Sequence, residues 1–306
     1  MPEVLSLMCV HAHPDDESSG TGGTLAKYAA ENVLTSLITA TKGEEGEIRD
    51  PQLNMAPWQT LGAIRSQKEL KLATAVLEVG FVNFLGYRDS GMAGTAANDH
   101  TEAFCNANIE EACRRLVLNV RKLRPQVLIT YNENGGYGHP DHIMCNRITQ
   151  AAFELAADPE FAWDDGEEPW QPKKLYYIAH SRESHARARE ALEARGLGEL
   201  VPRRSYENFG VPDDEITTRI DISAYVHLKR QALQCHRSQT LGGRWDKLPD
   251  DILRDFYAEE TFIRVRGLVD APARETDLFA GLRQDAIAAG DYSLLFANPV
   301  GTHFVA

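Results

Sequence analysis

The sequence has few cysteines and lacks long apolar runs. Its five cysteines include no C-x-x-C pair, which argues against a disulfide framework and a thiolate zinc site and favours a reducing, cytoplasmic location. No stretch approaches the roughly 18 consecutive apolar residues of a membrane helix, and the first ten residues lack the basic segment of an export signal. A membrane is therefore not an expected partner.

Basic residues are scarce relative to acidic ones. The 306 residues include 32 Lys plus Arg and 45 Asp plus Glu, which gives a formal net charge of −13. Because this charge repels phosphate backbones, nucleic acid is not an expected partner either. Hydrophobic residues make up 43% of the chain, a share typical of a folded globular protein.

Three common catalytic signatures are also missing. Residues 18–23 are glycine-rich and follow the first apolar run, but they lack the third glycine of the G-x-G-x-x-G dinucleotide motif. The sequence contains neither G-x-x-x-x-G-K-[ST] nor G-x-S-x-G. These absences argue against a Rossmann dehydrogenase, a P-loop nucleotide hydrolase and a serine esterase.

What is present is an alternation of short apolar runs with helical patterns. Strands are predicted over residues 4–10, 33–41, 82–87, 127–131, 174–179, 216–222 and 260–265. Helices are predicted over residues 24–31, 61–77, 108–123, from 139–140 onward, 183–195, 224–237 and 277–288. This order predicts an α/β fold, with a Rossmann-like, mostly parallel sheet, helices on both faces and a smaller C-terminal α+β extension.

The alternation also suggests how the chain is divided. Residues 1–180 are expected to form the Rossmann-like core, and residues 181–306 to complete the same domain and its pocket. The strand over 260–265 is expected at an edge of the sheet. Residues 158–172, rich in acidic residues and proline, are expected to form a surface loop.

The loop after the first strand carries an unusual cluster of charge. It reads His11-Ala-His-Pro-Asp-Asp-Glu17, and its three neighbouring carboxylates would repel one another without a cation among them. His13 and Asp16, three residues apart across a turn, can converge on one ion. Helix capping by Asp15 or Asp16 is the alternative explanation.

A second loop, after the fourth strand, supplies further ligands. Pro140 suits the first helical position, which predicts His139 as the N-cap and places His142 in the first turn. His142 would complete a two-histidine, one-carboxylate set and leave His139 free to act on a substrate. Such a set holds zinc in hydrolases or Fe(II) in oxygenases. Asp15, beside the ion as a base for water, favours hydrolysis.

These two motifs together resemble the signatures of the PIG-L, or LmbE-like, deacetylases. Three segments, 88–94, 134–139 and 275–281, are similar to the mycothiol-pathway branch that removes acetate from N-acetylglucosaminyl-inositol. Segments 16–19, 172–177 and 259–262 look more like mycothiol S-conjugate amidases, in which Lys is expected where Gly20 stands. The resemblance therefore implies a deacetylase acting on a small glycoside, with the amidase as the alternative.

The resemblance also implies roles for individual residues. It implies Zn²⁺ on His13, Asp16 and His142, with Asp15 as general base; Fe²⁺ can occupy the same ligands.

Further roles follow from the same resemblance. His139 and Tyr137 would face the developing oxyanion, and Asp141 would orient His139. Arg65 and Asp89 would contact substrate hydroxyls. His236, in the segment 235–239 at a predicted helix end, also resembles the family, but the helix dipole is enough to explain a histidine there. A homo-oligomer is compatible with the sequence.

Overall fold

The computed structural model describes residues 4–53, 60–161, 166–201, 210–283 and 303–305 of the chain. Its strands are β1 (Ser6–His11), β2 (Leu34–Thr41), β3 (Phe81–Tyr87), β4 (Val127–Thr130), β5 (Lys174–Ala179), β6 (Thr218–Asp221), β7 (Glu259–Gly267) and β8 (His303–Val305). They form one sheet in the order β6-β7-β5-β4-β1-β2-β3-β8.

Helices connect most of these strands. The helices before β4 are α1 (Asp16–Gly20), α2 (Gly22–Ala30), α3 (Leu61–Ile64), a π-helix (Arg65–Glu69), α4 (Leu70–Val76) and α5 (Ile109–Leu123). Those after β4 are α6 (Gly135–Gly138), α7 (Pro140–Leu155), α8 (Arg182–Ala194), α9 (Val226–Cys235), α10 (Arg237–Thr240), α11 (Arg244–Lys247) and α12 (Asp250–Tyr257). No helix in these described ranges is both long and apolar enough to cross a bilayer.

The sheet confirms the predicted fold class. Six neighbouring strands are parallel to one another, in the order β5, β4, β1, β2, β3 and β8. Strand β7 runs antiparallel to both its neighbours, β5 and β6. On one face α5 packs against α7, which also contacts β1 and β4; elsewhere α2 and α4 pack against α9, and α2 contacts β2. Every residue of β1 is buried, as its continuous apolar run predicts for a central parallel strand.

The sheet order places the two polar loops side by side. Strand β1 lies between β2 and β4. The strands β2 and β3 are added on one side of β1, and the chain then crosses to its other side with β4 and β5. In open parallel sheets, ligands bind at the carboxyl ends of the strands where the order reverses in this way. The loops after β1 and β4 flank this position.

Two sequence predictions about the C-terminal part are wrong. Strand β7 is an inner strand, because the four-residue β6 pairs with its outer side. Over the predicted helix 277–288, residues 278–282 form turns, and residues 284–288 lie outside the described residues. The Asp277 carboxylate accepts the Phe279 N–H and the Tyr28 hydroxyl, so this segment is held in a turn against the core.

Buried hydrogen bonds and one buried ion pair join the C-terminal part to the first half of the chain. Glu260 of β7 accepts the N–H groups of Gly23 and Thr24 at the start of α2 and lies 2.6 Å from Lys229 Nζ. At the amino end of β5, Lys174 Nζ lies 2.6 Å from Glu275 Oε1, with both side chains fully buried. The division of the chain at residue 180 stays a prediction.

Candidate metal and active site

The loop after β1 carries the first half of the site. Helix α1 begins at Asp16, directly after this loop. The Asp16 Oδ2 atom accepts the His13 backbone N–H at 2.9 Å and lies 3.2 Å from His13 Nδ1. The same oxygen lies 3.4 Å from Nε2 of His142, which comes from the second loop. The fold thus brings together the three residues predicted as metal ligands.

The second half of the site follows β4. In the distorted turn α6, Gly136 has a φ of 75°, a left-handed conformation that favours glycine. Pro140 occupies the first turn of α7, and Nδ1 of His139 accepts the Asp141 N–H at 3.2 Å. His139 is therefore the N-cap, as the position of Pro140 predicts, and His142 lies in the first helical turn.

Both ring nitrogens of His142 have a defined environment. Nδ1 lies 3.1 Å from the Gly135 carbonyl oxygen, and the ring stacks on Tyr131 with centroids 3.9 Å apart. Nε2, which faces Asp16, is buried and has no hydrogen-bond partner among the described residues. A buried polar atom without a partner is costly, so this nitrogen is suited to a ligand.

The other nitrogen of His13 faces carboxylates. Nε2 lies 3.1 Å from Asp141 Oδ2 and 3.4 Å from Asp89 Oδ1. Burial alone would lower the pKa of His13, but the carboxylates of Asp141, Asp16 and Asp89 raise it well above its usual value. The excess of negative charge around one imidazole favours a cation at this place.

The donor set fits a divalent metal ion. The imidazoles of His13 and His142 each direct one nitrogen towards Asp16 Oδ2, and an oxygen atom lies within hydrogen-bonding distance of the other nitrogen. Metal-bound histidines are oriented in this way. Ligand atoms also lie within 4.8 Å of one another in two overlapping sets, which are His13, His139 and His142, and His13, Asp89 and Asp141. The described residues therefore contain a candidate His and Asp metal site.

Asp15 is oriented differently from Asp16. Its backbone has a φ of 112°, and its side chain is 25% exposed, with Oδ2 at 3.2 Å from Arg65 Nη2. Burial raises the pKa of Asp15 to about 6, and Arg65 opposes this rise. The carboxylate thus lies at the site with a guanidinium beside it.

Arg65 is nearly inaccessible, in contrast to the expectation that it binds substrate hydroxyls. It is 3% exposed, and its two terminal nitrogens donate to Gly43 O at 2.7 Å and Pro14 O at 2.6 Å. It begins the π-helix, a rare conformation that is frequent at functional sites. Its described contacts are with the protein backbone and Asp15.

Asp89 and Asp141 both support His13 in this structure. Asp89 is 3% exposed and accepts the backbone N–H groups of Glu45 and Gly91. Asp141 accepts hydrogen bonds from the backbone N–H and hydroxyl of Ser90. The Asp141 carboxylate also lies 3.1 Å from His13 Nε2, and the Asp141 backbone N–H donates to Nδ1 of His139. The orienting of His139 by Asp141 stays a prediction.

Tyr137 and His139 lie beside the metal ligands. Tyr137 is 36% exposed, and its ring centroid lies 5.0 Å from that of His142. His139 is 6% exposed, and burial together with His13 and His142 lowers its pKa to about 4. The imidazole of His139 is therefore neutral near pH 7.

A cavity of about 910 Å³ opens beside these residues. Its lining includes Asp16, Tyr137 and His142 together with residues further along the chain such as Ser184 and Arg244. A volume of this order suits a small-molecule ligand.

Sequence reasoning missed one buried pair next to the site. Glu17 Oε1 lies 2.7 Å from Nε2 of His236, and both side chains are fully buried. Burial alone would lower the pKa of His236, but Glu17 raises it. The sequence drew attention to each partner separately, Glu17 as the third carboxylate of the first loop and His236 at a predicted helix end, but not to their pairing.

Comparisons with known proteins agree with this geometry. The family model PIG-L, described as GlcNAc-PI de-N-acetylase, matches residues 8–153. A 1D-myo-inositol 2-acetamido-2-deoxy-alpha-D-glucopyranoside deacetylase of Catenulispora acidiphila is 42% identical over 93% of this chain and 92% of its own length. The Thermomonospora curvata protein of the same description is 43% identical over 90% of this chain and 96% of its own.

Two solved structures share the fold. A conserved protein from Thermus thermophilus has a TM-score of 0.58 and 23% identity, and covers 88% of this chain and 98% of its own. The N,N'-diacetylchitobiose deacetylase from Pyrococcus horikoshii has a TM-score of 0.60 and 20% identity, and covers 87% and 85%.

The similar relatives decide between the alternatives left by the sequence. Those of 41–43% identity are described as deacetylases, and neither the amidase nor the Fe(II) oxygenase is favoured. Because this similarity extends over nine-tenths of the chain, the chain belongs to the PIG-L family of de-N-acetylases.

Proposed function

We propose that this protein hydrolyses the acetamide of 1D-myo-inositol 2-acetamido-2-deoxy-α-D-glucopyranoside, releasing acetate and the free amine. The observation that carries the proposal is the convergence of His13, Asp16 and His142, with Asp15 beside them, at the carboxyl ends of β1 and β4. The relatives described as deacetylases of this glycoside support the choice of substrate.

Zinc is the metal we propose for the site. His13, Asp16 and His142 would hold it, which leaves a position for water, and Fe²⁺ suits the same ligands. Zinc at such a site lowers the pKa of water to about 7 and polarises an amide carbonyl.

Asp15 is proposed to accept the proton of the attacking water. A general base must be accessible and must not itself coordinate the metal. The Asp15 side chain is partly exposed and lies beside Arg65. The proton then returns to the leaving amine through Asp15 or His139.

His139 and Tyr137 are proposed to stabilise the developing oxyanion. Because a backbone N–H can only donate, Nδ1 of His139 must accept the hydrogen bond from Asp141. The neutral ring therefore carries its proton on Nε2, which makes that atom a hydrogen-bond donor. Donors of this kind act where negative charge develops on the carbonyl oxygen.

A substrate panel tests the proposed function. We expect the highest kcat/KM, measured by acetate release, for N-acetylglucosaminyl-inositol. A methyl N-acetylglucosaminide should give a lower value because it lacks the inositol hydroxyls, and N,N'-diacetylchitobiose because a second acetamido sugar replaces the inositol. Faster turnover of a mycothiol S-conjugate than of every glucosaminide would reverse this assignment. The binding of substrate hydroxyls by Arg65 and Asp89 stays a prediction.

A further inference from the structure

The peptide between Pro14 and Asp15 has an unusual conformation. Asp15 has a φ of 112° and a ψ of −24°, a region that residues with a side chain rarely occupy. Such a conformation persists only where the surrounding structure over-determines it. The contacts of this one peptide therefore indicate what holds the Asp15 carboxylate at the site.

Two buried side chains of opposite charge hold the two ends of this peptide. The Pro14 carbonyl accepts a hydrogen bond from Arg65 Nη2 at 2.6 Å. The Asp15 N–H donates to Glu17 Oε2 at 2.9 Å. Charge-assisted hydrogen bonds are roughly twice as strong as neutral ones, so the orientation of the peptide plane is strongly fixed.

Each of these side chains is itself anchored. Arg65 also donates to the Gly43 carbonyl at 2.7 Å, and Glu17 is bonded to His236 Nε2 at 2.7 Å and to the Ser18 hydroxyl. Glu17 and His236 are fully buried.

A further contact joins the segment that carries Arg65 to the segment that carries His236. Glu69, at the end of the π-helix that Arg65 begins, accepts the Ser238 N–H at 2.6 Å and the Ser238 hydroxyl at 2.7 Å. Ser238 lies two residues after His236. These hydrogen bonds thus link the π-helix that begins at Arg65 to the turn that carries His236.

We propose that Glu17, His236 and Arg65 are positioning residues that hold the Pro14–Asp15 peptide and thereby aim the Asp15 carboxylate at the reacting water. This inference rests on the proposed role of Asp15 as general base. A purely structural pair would stabilise the fold without acting through Asp15, and the following experiment separates the two roles.

The main variant replaces the buried pair by apolar residues, Glu17→Met with His236→Leu. Replacing both partners avoids leaving an unpaired buried charge, so the fold is retained more readily than after a single replacement. The double replacement also removes Glu17 Oε2, the acceptor of the Asp15 N–H. We expect kcat to fall by about 10²-fold, the order that a misplacement of 1 Å can cost, with KM and bound metal changed less than about twofold.

A double-mutant cycle with Asp15→Asn gives the decisive readout. In the Asp15→Asn background, the same pair replacement should lower kcat by less than about threefold, because the group that it positions is already lost. The single variant Glu17→Gln, in a protein that keeps Asp15 and His236, retains an oxygen to accept the Asp15 N–H. It should keep most of the wild-type kcat. A loss of equal size with and without Asp15 would overturn the proposal.

Two further arms keep the experiment decisive. Lys174→Met with Glu275→Met removes a buried pair at the opposite end of the strands, and should change the melting temperature without changing kcat. If the Glu17 and His236 pair variant does not fold, Glu17→Leu alone, which leaves Arg65 and its contact with Asp15 in place, should show the same dependence on Asp15; independence would contradict the proposal.

The proposed function and the positioning role can fail separately. If the wild-type protein releases no acetate from any glucosaminide, the function is wrong, and a crystal structure of the metal-loaded pair variant then tests the positioning role. A φ of Asp15 that leaves the value of 112° is the expected result. An unchanged φ would show that the pair does not hold the peptide.

Discussion

Asp15→Asn is expected to lower kcat by about 10² to 10⁴, the contribution of a general base, while the protein keeps its bound metal. The replacement removes the proton acceptor but leaves the predicted ligands His13, Asp16 and His142 unchanged. Steady-state acetate release and metal analysis on one preparation measure both quantities.

A matched carboxylate elsewhere in the chain provides the control. Asp277, like Asp15, has an arginine as its charged neighbour, with Arg283 Nε at 2.6 Å, but it lies in the C-terminal turn. Asp277→Asn should leave kcat unchanged. Loss of metal from the Asp15→Asn protein would instead make Asp15 a ligand.

His142→Ala is expected to reduce the bound metal from about one ion per chain to near zero and to reduce acetate release to background. The Nε2 atom of His142 is buried without a hydrogen-bond partner among the described residues, and a site with three protein ligands tolerates the loss of one poorly. His13→Ala should have the same effect.

His100→Ala is the control for this metal measurement, because His100 is exposed and lies outside the candidate site. It should keep the metal content of the wild type. Full occupancy in both the His13→Ala and His142→Ala proteins would show that the metal binds elsewhere.

The sequence predicts the position of the site because two physical regularities act together. Continuous apolar runs such as that of β1 are typical of buried parallel strands, and the carboxyl ends of such strands lie at one edge. The polar loops after β1 and β4 are then expected at the same edge, and they meet because β1 and β4 are neighbours in the sheet. Pro140 further fixes the start of α7, and with it the N-cap His139.

Individual side-chain directions could not be predicted in this way. The spacing of Asp141 from His139 places both at the start of α7, but it does not reveal that Ser90, from the loop after β3, donates to the Asp141 carboxylate. The pairing of Glu17 with His236 joins residues 219 positions apart. Neither contact leaves a local pattern in the sequence.

The sequence could not predict the edges of the sheet or its short strands for a similar reason. The burial pattern of β7 depends on whether another strand covers it, and β6 has only four residues. Strand β8 has three residues, too few to show a period. Both depend on tertiary pairing rather than local preference.

Removal and return of the metal is the measurement that tests the central claim most directly. Acetate release from N-acetylglucosaminyl-inositol should stop when a chelator strips the metal, and one equivalent of Zn²⁺ per chain should restore it in the wild type but not in His142→Ala. Undiminished acetate release from protein shown to be free of metal would contradict the account.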